Sequence, residues 1–195
     1  MITTNIALKY QLIVGGLLEG LLFLVVYQST PTIEEAFRLA ARYSGRLSLL
    51  AFLIPWLFYI RTDISSDKGT VLFSFLRFFA VLHAIHFFFL AINIMLNDIP
   101  LIPVKLVGGM LAYISILLLP FFEKNIKLKQ PILNVYFFYV GLVMIVTYVS
   151  RIKGDFEGSQ PSIVHYIALF ALLAIMTFFC VKGVTHYFQK GNKDS

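Results

Sequence analysis

A single cysteine, Cys180, stands in the whole chain, which excludes an intrachain disulfide. Its apolar surroundings make it a small apolar filler rather than a reactive thiol. Charge is equally scarce: charged side chains make up 13% of the 195 residues, against 59% hydrophobic ones. No HExxH, no CxxC, no phosphate-cradling glycine loop and no Ser/His/Asp arrangement occurs, so the residues assign no enzyme activity and leave catalytic residues unknown. Internal repeats and low-complexity tracts are missing too. No basic stripe interleaved with aromatics suggests a nucleic-acid partner. The longest polar connection, 151–162, is too short to fold alone, so 1–195 reads as one domain.

What fills the chain instead is apolar sequence, with a mean hydropathy of +0.84. Six runs of comparable length, about 10–27, 45–60, 70–96, 101–122, 132–150 and 163–183, cannot all hide inside a soluble domain of this size. Their solvent is the lipid bilayer. Crossing its hydrocarbon takes roughly 20 helical residues, and backbone groups in lipid must be satisfied internally, so each run is a helix. The fold class expected is all-α: a polytopic six-helix membrane bundle. The first run resembles a secretory signal behind Lys9, but its apolar stretch is too long and no small-residue cleavage pattern follows, so it stays as a helix.

The second run is short, and its upstream flank explains why. Thr30-Pro31 offers a cap with proline at the first helical position, and Glu34 and Glu35 suit a positive helix start. Residues 34–46 mix charges with Phe37, Leu39 and Tyr43, an amphipathic surface segment that runs into the span with a break expected near Gly45. Pro55 is a kink candidate. Tyr10, Tyr27, Trp56 and Tyr59 lie near span ends, where interfacial anchors belong.

With six crossings both termini share a side. That side carries Lys9, Arg61, Lys68, Arg77, Lys124, Lys127, Lys129, Lys182, Lys190 and Lys193, and the other carries Arg38, Arg42, Arg46, Lys105, Arg151 and Lys153. Cytoplasmic loops are enriched in Lys and Arg, so both termini are expected in the cytoplasm. The net charge of +6 is then a matter of topology.

Function falls on the few polar groups inside the spans: Glu19, Arg77, His83, His86 and His165. Glu19 lies near the middle of the first span, where a carboxylate costs several kcal/mol unless protonated or paired. Gly16 and Gly20 form a small-residue face around it for a neighbouring helix. Arg77 enters the third span from the same side, so the two form a candidate intramembrane ion pair. The other reading is a neutral, hydrogen-bonded Glu19 with Arg77 extended towards the surface. His83 and His86 are three apart on one helix face, and imidazole there serves either as an iron ligand or as an interhelical hydrogen bonder. His165 opens the sixth span, at a depth roughly 6 Å from that of His86 by helical rise. His186 reads as solvated. Gly108-Gly109 reads as a tight packing point.

The spans resemble those of the ferric-reductase-like transmembrane family, and are nearest the haem-binding membrane subunits of bacterial periplasmic methionine-sulfoxide reductase systems. The second span (SGRLSLLAFLIPWLFYIR) is similar to that family's Gly-led helix ending in a basic residue. Residues 103–120 (PVKLVGGMLAYISILLLP) are similar to its Lys-and-Pro-led helix, and Arg77 followed by His86 and its aromatics to its ligand-bearing third helix. The resemblance implies a bacterial inner-membrane electron-transfer subunit. It would hold one haem b on His86, with His165 or His83 as second ligand, and serve a soluble or membrane redox partner. The family also takes haem ligands from the fifth helix, as two histidines about four turns apart; here Asn134 and Thr147 stand near those positions, and both are poor iron ligands. Two alternatives follow. One is a cofactor-free assembly or interaction subunit on the same scaffold. The other is a small proton-linked transporter using Glu19.

Overall fold

The protein is described by a computed structural model that covers the backbone of residues 2–62, 66–100, 103–121, 129–155 and 161–191, and the side chains of 8–62, 68–100, 107–121, 130–155 and 161–183. It is an all-α bundle, with no strand among the described residues. In chain order the helices are α1 (Ile2–Ser29), α2 (Ile33–Arg61), α3 (Ser66–Leu96), α4 (Pro103–Leu118), α5 (Lys129–Lys153) and α6 (Ile163–Gly191). Five of them are long and apolar enough to cross a membrane, which makes this an integral membrane protein by length and composition. The helices gather into two compact units, Met1–Lys127 and Leu128–Ser195.

α4 is the shorter apolar helix. Its 16 residues rise only about 24 Å, less than the roughly 30 Å hydrocarbon thickness. Pro120 sits in a 3-10 turn over Leu119–Phe121 directly after it. A proline lacks the N–H that an α-helix would need there. The ends of the run expected over 101–122 lie outside the described residues.

α2 runs unbroken for 29 residues, so the amphipathic stretch and the span are one helix, with no interruption at Gly45. Its cap is Thr32 rather than Thr30: the Thr32 hydroxyl accepts from the Glu35 amide at 3.3 Å, the pattern of Ser/Thr followed three residues later by Glu. Ala36, Ala40, Ala41 and Ser44 bury the inward face of its first half. Small side chains let neighbouring backbones approach closely, the main source of helix association in lipid.

In the first unit α1 and α3 run parallel in one register. Gly15 lies against Val81, and Phe23 stacks on Phe89. Both pairs are offset by the same number of residues, so the α1 residues between them, Glu19 included, lie level with the α3 residues at that offset. Nearer the N-terminus the long Gln11 side chain reaches back to donate to Ser74. A Cβ on Gly15 would meet the Val81 side chain at 2.8 Å, closer than real side chains pack. Nothing lies within 4 Å of the corresponding position on Gly16 or Gly20. The close-approach face of α1 therefore runs through Gly15 and Glu19, one residue round the helix from the expected pair. Gly108 and Gly109 likewise have open space there. The opposite face of α1, with Leu17, Leu21, Leu24 and Val25, is exposed, as a lipid-facing surface should be.

Two expected interfacial anchors prove to be core. Trp56 and Tyr59 are buried in the first unit, whereas Tyr10 and Tyr27 are exposed. In the second unit α5 buries Leu133, Tyr136, Phe137 and Val140, a face at helical spacing. Cys180 on α6 is exposed.

Candidate functional site

Among the described Asp, Glu, Lys and Arg side chains Glu19 is the most deeply buried, with 1% of its surface exposed. The Ser44 hydroxyl on α2 donates to its Oε1 at 2.8 Å. Its Oε2 is buried and has no hydrogen-bond partner. The common offset of α1 and α3 puts Glu19 level with Ile85, next to His86. Arg77 is eight residues earlier on α3, roughly 12 Å further along the bundle. There its Nε donates to the Pro120 carbonyl at 3.3 Å. The Glu19–Arg77 pair expected from span position is thus not formed. Counting residues from span ends misplaces the two helices by about two turns, because their relative shift is set by packing at Gly15 and Phe23.

His86 packs where α2 has no side chain. A Cβ on Gly45 would meet the His86 Cε1 at 3.0 Å and its Nε2 at 3.4 Å. Gly45 adjoins Ser44, so Glu19, Ser44, Gly45 and His86 occupy one level of α1, α2 and α3. One turn along, the Ser48 hydroxyl and His83 Nδ1 share a hydrogen bond of 2.6 Å. The His83 ring stacks on Tyr113 of α4 at 4.4 Å and lies 5.7 Å from the His86 ring. Ser44 and Ser48 are four apart on α2, while His83 and His86 are three apart on α3, so each helix presents both its groups to the seam. The sequence signal for the serines exists in this spacing, but Ser in a membrane helix is too common to single out alone.

His165 belongs to the second unit and is almost fully buried. Its Nδ1 accepts from the Ser162 amide at 3.2 Å, its own amide donates to the Ser162 carbonyl, and its ring meets Tyr148 edge-on at 6.1 Å. This is a helix-start arrangement. His186 lies outside the residues whose side chains are described.

His83 and His86 do not make a pair of axial ligands for one haem. His83 and His86 point from one helix three residues apart, so they cannot stand on opposite faces of one iron. A neutral imidazole that ligates through Nε2 carries its proton on Nδ1, and the Nδ1 of His165 is an acceptor here. Among the described residues no three His, Cys, Asp or Glu side chains cluster closely enough to hold a metal ion. The arrangement in the first unit is instead a buried carboxyl and two imidazoles, spaced by two hydroxyls, at mid-span depth. Groups of this kind inside a bilayer are suited to taking up and giving up protons.

Comparison with known families, with curated proteins and with solved structures finds no match for this chain.

Proposed function

We propose that the chain is a proton-linked integral membrane protein, with Glu19 as the group that gains and loses the proton. The observation that carries this reading is the Glu19 carboxyl itself: at mid-span, held by Ser44 through one oxygen, with the other oxygen buried and without a partner. A carboxyl in that place is neutral when protonated, and its ionised form must be compensated by a bound cation or a rearrangement. Exchange of the proton is therefore coupled to a change around it. His86 and His83, on the adjoining turn, supply the next titratable positions. The proposed topology has six crossings of a bacterial inner membrane, with α4 as the short one and both termini cytoplasmic, following the Lys and Arg distribution.

Infrared difference spectroscopy between acid and alkaline samples in lipid tests the reading. A protonated-carboxyl band that titrates should be present in the natural protein and absent from Glu19→Gln. A difference spectrum unchanged by that substitution overturns it. The electron-transfer reading, with one haem b and a redox partner, has a direct test in the same preparation: a Soret band in protein purified from haem-replete cells would favour it over the proton-linked one.

A further inference from the structure

An aromatic cluster closes the Glu19 level at each end, and the two clusters are unequal. Towards the α1–α2 turn lie Phe23, Phe37 and Phe89, one from each helix, with ring centroids 4.9, 5.6 and 6.1 Å apart. Phe23 and Phe37 are only partly buried, and the residues beneath them are the small Ala40 and Ala41. In the other direction lie Phe52, Phe79 and Trp56, with Phe52 at 5.2 Å from each of the other two. All three are fully buried, at 0% exposure. The α1–α3 seam on that side is tight as well, because a Cβ added at Gly15 would meet the Val81 side chain at 2.8 Å. Along α3 the order is Phe89, His86, His83, Phe79, so the polar groups occupy a layer about 15 Å deep between the two clusters.

We propose that Glu19 exchanges its proton with one face of the membrane in this conformation, the face that carries the α1–α2 turn, and that the Phe23–Phe37–Phe89 cluster is the gate. This rests on the reading of Glu19 as the proton-exchanging group. Two partly buried rings over alanines can swing aside into lipid or solvent with little loss of packing, whereas three fully buried rings cannot move without opening a cavity. The Glu19 Oε2, buried and without a partner, is the atom left to receive whatever enters. The gate therefore decides the side from which Glu19 is reached, and the tight cluster must rearrange before the other side gains access.

Thiol accessibility tests the route. Glu19→Cys is placed on a Cys180→Ser background, and a membrane-impermeant thiol reagent is added to one face at a time in sealed vesicles of either orientation. Gln28→Cys, in the last turn of α1 beside the α1–α2 turn, reports which face is which. Labelling of Glu19→Cys should be slow, faster from the Gln28 face, and at least tenfold faster from that face when Phe37→Ala is added. Phe52→Ala should leave the rate from the Gln28 face unchanged. Ser44→Cys serves as a second reporter and Phe23→Ala as a second gate variant, used wherever the first fails to elute as a single species. Faster labelling from the opposite face overturns the proposal, as does a rate unmoved by both gate substitutions or no labelling in any of them. Labelling reads access alone, so a negative result here leaves the infrared test of protonation intact, and a negative infrared result leaves the route intact.

Discussion

Ser44 is the side chain on which the buried carboxyl depends, since it supplies the one hydrogen bond that Glu19 receives. Ser44→Ala should lower stability by about 1–3 kcal/mol, the usual cost of leaving a buried polar group without its partner. A thermal unfolding scan in detergent reads this directly. Glu19→Gln keeps an acceptor for Ser44 and should be milder than Glu19→Leu, which leaves the hydroxyl without one. Because Arg77 lies about 12 Å along the bundle from Glu19, the double variant Glu19→Gln with Arg77→Gln should show stability changes that add within about 0.5 kcal/mol. Coupling well above that would mean the two groups interact after all. Neither serine is conspicuous in the sequence. Glu19 and the histidines are, because the bilayer makes such residues costly wherever they stand.

Among the helices, the glycines separate close contacts from open surface. Gly15→Ala places a methyl against Val81, and Gly45→Ala places one against the His86 ring, whereas Gly16→Ala and Gly20→Ala meet nothing. The first two should destabilise by about 1–3 kcal/mol, as overpacking does. The second two should be neutral or slightly stabilising, since alanine is the better helix former. Val81→Ala should restore Gly15→Ala by making room for it. A Gly16→Ala variant less stable than Gly15→Ala would show that α1 is rotated from the position described. From sequence, Gly15, Gly16 and Gly20 look alike as small residues near Glu19. Only the rotation of α1 about its axis tells them apart, and that rotation is chosen by packing with α2 and α3. The cap of α2 is a smaller case of the same kind. Thr30-Pro31 and Thr32 are both candidate starts, but only the Thr32 hydroxyl accepts from the amide three residues on, that of Glu35, while the Glu35 carboxylate pairs with Arg38.

At the scale of the molecule the testable quantity is orientation. With six crossings, a cysteine introduced at Ser195 and one introduced at Gln28 should label from opposite faces of the membrane, Ser195 from the cytoplasm. Labelling of both from one face would mean an odd number of crossings, with α4 as the helix that fails to span. Its length makes it the natural suspect, since 16 residues fall short of the hydrocarbon thickness.

The apolar runs alone determine that this chain lives in lipid and that its segments are helices, because the bilayer accepts no other backbone and charges nearly every polar residue a cost that composition records. They also determine which polar groups stand inside. Tertiary structure decides everything that depends on how two helices are shifted and turned against each other. It pairs Glu19 with Ser44 and gives Arg77 the Pro120 carbonyl. It lays His86 over Gly45, draws Trp56 and Tyr59 into the core, and leaves Cys180 exposed. The physical reason is that hydropathy is a property of each residue by itself. Helix register and rotation are set by contacts between residues far apart in the chain, such as Gly15 with Val81 and Phe23 with Phe89, and a shift of two turns leaves every local pattern unchanged.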